Sequence, residues 1–229
     1  MSDGDDRHDE DAAHPTTRLV LIRHGESNAT VERRIAGHRT CTGLSPLGVR
    51  QAEALRDRLS STAELSVDVF VASNYARAIE TAEILAPALH ADFVVDARFG
   101  EHDPGPTLDG LTFQEYVDRY GMPDWHGDPD SVVFPGGETP AQFHRRVGAG
   151  VAALLGAHPG ATIVVSCHGG VVDAVFRQVL QLPARGAFEL QTLNTSLTEF
   201  LHARPERWQL MRYNDAAHLD GLPESTRAA

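Results

Sequence analysis

The chain has 229 residues, of which 20 are basic and 32 acidic, for a net charge of −12. So acidic a surface repels nucleic acid and anionic membrane. All 20 basic residues are arginine, which excludes Schiff-base catalysis by a lysine and the lysine of a P-loop.

Residues 1–17 carry six acids against Arg7 and almost nothing apolar, so a disordered acidic tail is expected there. No apolar run reaches the ~20 residues of a membrane span, and the N-terminus has no apolar leader region. The two cysteines, Cys41 and Cys167, make no disulfide framework. A reducing cytoplasm is the expected compartment. Twelve histidines are scattered without metal-ligand spacing, so neither metal nor cofactor is expected.

From Arg18 the pattern becomes regular. Leu19-Val20-Leu21-Ile22 is a short continuous apolar run, as in a buried parallel strand, and Val67–Ala72 and Thr162–Val165 read alike. Ser45-Pro46 is a cap followed by a first-turn proline, opening a helix to about Leu59. Ala78, Ala82, Leu85 and Leu89 share one face of the next helix. Residues 100–138 hold five prolines and predict a long irregular, lid-like segment with one short helix near Thr112–Tyr120. Thr139-Pro140 repeats the cap device, with Phe143, Val147, Val151 and Leu154 on one face; Val172, Val175, Phe176 and Val179 mark another helix. Late strands are expected near Ser196–Leu201 and Trp208–Tyr213. The alternation predicts an α/β fold, a three-layer sandwich around a mostly parallel sheet, over residues 18–215, with 216–229 as a C-terminal tail.

Ligands gather at the carboxyl ends of strands in open α/β sheets. The first strand ends in Arg23-His24-Gly25-Glu26-Ser27, and the third in Ser166-Cys167-His168-Gly169-Gly170, where a helix opens at once. A helix start presents free N–H groups and a positive dipole to an anion. Between them, Ser73-Asn74-Tyr75-Ala76-Arg77 puts an arginine in the first turn of a helix. Two arginines suit phosphate, and two histidines suit nucleophilic and charge-stabilising roles. Cys167 reads as a small buried apolar side chain. Gly148-Ala149-Gly150-Val151-Ala152-Ala153 has the letters of a dinucleotide fingerprint but lies inside a helical pattern, so it is set aside.

With these residues in view, the chain resembles the histidine phosphatase superfamily, the phosphoglycerate mutase-like group. Leu21 through Ser27 matches the opening signature, and Gly43-Leu44-Ser45-Pro46-Leu47-Gly48 the next block. Ser73 through Arg77, Arg98-Phe99-Gly100-Glu101, Gly136-Gly137-Glu138-Thr139 and His168-Gly169-Gly170 follow in family order. The resemblance implies a metal-independent phosphoric monoester hydrolase of the histidine acid phosphatase type. His24 would be the phosphorylated nucleophile. Arg23, Arg77, His168 and Gly169 would hold the phosphate, and Glu101 would act as proton donor, with His102 and Asp103 beside it as alternatives. Thr30 and Gly37 fall where the family's phosphate pocket is lined, although Thr30 stands where asparagine is common. The implied substrate is a small phosphorylated metabolite, with no nucleic acid or membrane partner and a homodimer as a possible assembly.

Two other functions fit the same residues. A phosphoglycerate mutase would return the phosphoryl group to product. However, its first-block tryptophan is replaced by the stretch Ser27-Asn28-Ala29-Thr30, and its lid lysines are missing. A non-catalytic phosphate-binding regulatory module would keep the pocket without turnover. Tyr116, Tyr120, Met122, Trp125 and Phe134 are candidates for the leaving-group wall or for a small satellite core. Arg39 and Arg119 are candidates for a second anion.

Overall fold

The computed structural model describes residues 15–124, 127–186, 188–204 and 207–225. Of the tail expected over residues 1–17, residues 1–14 lie outside the described residues, as do the last four residues and Trp125, while Thr17 is buried and opens the first strand. Six strands form one sheet: β1 (Thr17–Arg23), β2 (Val69–Ala72), β3 (Phe93–Val95), β4 (Thr162–Cys167), β5 (Leu197–Arg204) and β6 (Arg207–Asp215). Their order is β3-β2-β4-β1-β5-β6. The first four are parallel, while β5 and β6 run antiparallel on one side.

Helices cover both faces, completing the expected three layers. They are α1 (Asn28–Val31), α2 (Pro46–Thr62), α3 (Ala76–Leu89), α4 (Phe113–Tyr120), α5 (Pro140–Ala157) and α6 (Gly169–Val179). The capping signals explain the starts. Ser45 Oγ accepts from Gly48 N ahead of Pro46, and capping boxes join Thr112 with Glu115 and Thr139 with Gln142.

Alternate side chains of β1 feed two separate cores. Leu19 and Leu21 pack with Phe143 and Val147 of α5 and Val172 of α6. Val20 and Ile22 pack with Leu55 of α2 and Leu85 of α3. All four β1 residues are fully buried, each worth roughly 1.5–3 kcal/mol of apolar burial. Being buried on both faces is why the strand reads as a continuous apolar run.

Residues 216–225, the described part of the expected C-terminal tail, lie against the body. A 3-10 turn at Ala217–Leu219 puts His218 Nε2 at 2.8 Å from Thr195 Oγ1, and Ser225 Oγ accepts from Gln51 of α2 at 2.7 Å.

Candidate active site

Strand register builds the site. Arg23 of β1 pairs with Cys167 of β4, and Ala72 of β2 with Ser166. The next residues, His24, Ser73 and His168, therefore leave the sheet together at its carboxyl end. The turn after β1 is fixed by two glycines back to back. A Cβ on Gly25 would collide with the Gly48 carbonyl, and one on Gly48 with the Glu26 carbonyl.

The imidazoles and Arg77 form one buried cluster. His24 Nδ1 lies 2.6 Å from Gly25 O, so it carries the proton and donates. Its Nε2 accepts from Arg77 Nε at 3.0 Å. The same Nε reaches His168 Nδ1 at 3.3 Å, while His168 Nε2 meets Ser73 Oγ at 2.7 Å. The two rings stand 5.0 Å apart. Tyr75 packs edge-on against His168 at 5.0 Å, with the Arg77 guanidinium over its ring at 4.6 Å. Arg77 also donates to Cys41 Sγ at 3.3 Å, and Arg23 Nη1 donates to Thr192 O.

This is a cationic cluster without a direct ion pair, with Glu101 the acid that acts on Arg23 from its edge. Neither Arg23 nor Arg77 forms an ion pair among the described residues; their bonds go to a carbonyl, two imidazoles and a thiol. Arg23 Nε is buried without an acceptor. Burial, with Arg77 and Arg23 next, pushes the His24 pKa well below its usual value. Burial and Arg77, then His24 and Arg23, do the same to His168. Both imidazoles are thus neutral at pH 7, and His24 points an unprotonated Nε2 at the arginines.

His168 is the N-cap residue of α6, so Gly169 and Gly170 carry free helix-start geometry. Glu101 reaches this start: its Oε2 accepts from Gly170 N at 3.2 Å, and a Cβ on Gly170 would collide with Oε1. Arg146 of α5 holds the Glu101 segment by donating to Arg98 O, Gly100 O and Glu101 O at 2.9, 3.0 and 3.2 Å. It also pairs with Glu138. Glu101 Oε1 also accepts from His102 N at 3.0 Å, and the two alternative acids are bonded as well. His102 Nε2 donates to Glu138 O at 2.7 Å, and Asp103 accepts from Gly105 N at 2.9 Å.

Thr30 and Gly37 are not brought to the cluster by any bond they make. Thr30 N and Oγ1 both turn to Ser27 Oγ, at 3.2 and 3.0 Å, as part of the α1 cap. Gly37 N donates to Asp109 at 2.8 Å, so the N–H expected for phosphate is already occupied by a carboxylate. Arg39 also serves this loop, donating to Pro106 O at 2.5 Å. Cys167 is fully buried in the α5/α6 core, and burial pushes its thiol up, out of reach of thiolate chemistry. Tyr116 is a satellite-core residue, its hydroxyl donating to Val133 O at 2.9 Å and its ring 5.5 Å from Phe134. Sequence reasoning missed roles for Ser73, Tyr75, Cys41 and Arg146. The first two lie inside the quoted Arg77 block, but their contacts span up to 95 positions.

Two arginines, two neutral histidines and a helix start, with a carboxyl group at the edge, make a pocket suited to a phosphate-sized anion. The sequence model of the histidine phosphatase superfamily (branch 1) matches residues 19–216, and the chain belongs to that superfamily. Its curated relatives include an "Uncharacterized phosphatase PhoE" of Bacillus subtilis (strain 168). That protein is 30% identical over 209 residues, 90% of this chain and 98% of its own length. A "Probable phosphoglycerate mutase GpmB" of Proteus mirabilis (strain HI4320) is 29% identical over 213 residues, 90% and 96% of the two chains. Among solved structures, a mycobacterial glucosyl-3-phosphoglycerate phosphatase complexed with VO3 superposes with a TM-score of 0.72. It is 28% identical, covering 86% of this chain and 98% of that one.

Proposed function

We propose that the protein hydrolyses small phosphomonoesters without a metal, through a phosphohistidine on His24. The carrying observation is the buried pair of arginines around a neutral Nε2, with no carboxylate paired to either. A dianionic phosphate supplies the missing counter-charge. In-line attack by Nε2 forms the N–P bond as the ester P–O bond breaks. Arg23, Arg77, His168 and the Gly169 N–H hold the equatorial oxygens. Glu101 gives its proton to the departing alkoxide, then takes one from the water that cleaves the N–P bond, returning His24 and releasing phosphate. His24 is kept neutral by burial and by its two arginines, so the nucleophile stays competent into mildly acidic solution, in keeping with an acid-type phosphatase. Two free cysteines and the bacterial relatives agree with a cytoplasmic site of action.

The test is phosphate release from 4-nitrophenyl phosphate with chelator present, combined with acid-quench trapping of labelled phosphoenzyme. Wild type should turn over and trap label. His24→Ala should lose at least about 10³-fold in kcat and trap none, while keeping its fold. Turnover that persists in His24→Ala, or that the chelator abolishes in wild type, overturns the reading. Phosphoryl return to an added acceptor in place of release would mark a mutase.

A further inference from the structure

Beside Glu101 and Gly170 a cavity of about 240 Å³ opens between α5, α6 and the 181–189 loop. Glu101 and Gly170 line both this cavity and the edge of the cluster proposed above, so it is the space next to the proton donor that a leaving group can use. Its walls differ in kind from the phosphate cradle. Besides Glu101, it holds the carboxylates of Asp173 and Glu189. Interleaved with them are donors: Arg177 and Arg185, plus His144, which burial and Arg177 hold neutral with a pKa of about 4. Val133, Pro140 and Phe143 supply the apolar remainder.

The loop that carries Arg185 is anchored. Arg177 pairs with Asp173 at 2.6 Å and donates to Pro183 O at 3.2 Å and to Phe188 O. Arg185 itself forms no ion pair among the described residues, and its one hydrogen bond goes to Asp128 O at 3.2 Å.

From this lining we infer that the enzyme selects phosphomonoesters whose leaving group is uncharged and rich in hydroxyls, of monosaccharide or polyol size. The inference rests on the phosphatase reading of the site. A carboxylate or second phosphate on the leaving group only accepts hydrogen bonds, so it can use Arg177 and Arg185 but is repelled by Glu101, Asp173 and Glu189. An ammonium only donates, so it can use the carboxylates but is repelled by Arg177 and Arg185. A hydroxyl does both, so it can pair with carboxylate and guanidinium walls alike without carrying a charge that either repels. The sugar's C–H faces suit Phe143 and Pro140. Size agrees: since a cavity of roughly 150 Å³ accepts benzene, this one seats a group on the order of ten non-hydrogen atoms.

The experiment compares kcat/KM at pH 7 and low salt, with 4-nitrophenyl phosphate as the control for turnover. The panel is glucose 6-phosphate, ribose 5-phosphate and erythritol 4-phosphate against 3-phosphoglycerate and phosphoethanolamine. The best of the uncharged esters should exceed both charged ones at least tenfold. Glu189→Gln should narrow the gap to 3-phosphoglycerate several-fold through KM, and Arg185→Gln should narrow the gap to phosphoethanolamine. If 3-phosphoglycerate or phosphoethanolamine matches the best sugar ester while the aryl ester is turned over, the inference is wrong and the phosphatase reading stands. Equal changes on all esters in Glu189→Gln would also overturn it. No release from any ester, the aryl one included, removes the reading beneath it.

Discussion

Two arginine-rich regions flank the sheet, and they are built on opposite principles. At the antiparallel side, Arg18, Arg58 and Arg212 interlock with Glu64, Glu199 and Asp215. Arg18 reaches Glu199 at 2.5 Å, Arg58 reaches Glu64 at 2.8 Å and Asp215 at 2.6 Å, and Arg212 touches all three acids. Three cations meet three anions, and the network is complete. At the carboxyl end of the parallel strands, Arg23 and Arg77 bond to two histidines, a carbonyl and a thiol, and neither forms an ion pair among the described residues. A compensated network holds its own elements together. An uncompensated one is destabilising until an anion arrives, so its retention points to binding.

The contrast breaks most visibly at Arg77. Arg77→Ala should lower kcat/KM by about 10³-fold, as loss of a transition-state donor does, while the melting temperature holds or rises because a buried unpaired cation is gone. Thermal unfolding and steady-state kinetics on the same preparation check this. A collapse in stability matching the loss of activity would mean that Arg77 is structural.

Glu101 sharpens the comparison from the edge of the site. Glu101→Gln should slow alkyl phosphates by about 10²-fold, within the range for a general acid. It should barely slow 4-nitrophenyl phosphate, whose leaving group needs no proton. Equal losses on both esters would remove Glu101 from the proton-donor role and return attention to His102 and Asp103.

The compensated network should show the reverse pattern. The Arg58 hydrogen bond holds the Asp215 carboxyl well below the usual carboxylate range. Asp215→Asn should lose about 1–2 kcal/mol, a modest figure because the pair is partly open to screening solvent. That corresponds to a melting point lower by roughly 2–8 °C for a chain of this size. Turnover should stay within about twofold of wild type. A large loss of kcat with unchanged stability would contradict the division of labour.

How much of this was readable beforehand follows from the same physics. β1, β2 and β4 are buried on both faces, so their apolar runs stand out. β3 is three residues at the sheet edge, with Val94 and Val95 exposed, and it leaves no such run. Arg23, His24, Arg77 and His168 were legible because each directly follows or ends a strand, or opens a helix. Arg146 was not, since its work is to gather carbonyls 45 to 49 positions away. Gly37 was assigned by position in a pattern. Only the folded chain brings in Asp109, 72 residues on, to take its N–H.

Acid stability is the finest test, because both regions respond to pH at different points. His24 and His168 have folded pKa values well below 6.5, chiefly through burial. The unfolded chain binds their protons first, so the stability they represent is present above about pH 6.5 and is lost as pH falls. Asp215, Glu64 and Glu199 are also depressed. For the two glutamates burial works upward, and the arginine hydrogen bonds overcome it. Their contribution is kept until pH falls below about 4 and is lost only there. Between pH 6.5 and 4.5 the slope therefore belongs to histidines, with His144 and His218, each lowered to about 4 by burial, sharing in it. Removing one proton site should flatten that slope by up to about 1.4 kcal/mol per pH unit. Denaturant midpoints of His24→Gln and wild type at pH 7.5, 6.0 and 5.0 measure it. Parallel slopes would mean that His24 is protonated in the folded protein, and the neutral nucleophile that distinguishes this region from the paired arginines would be lost.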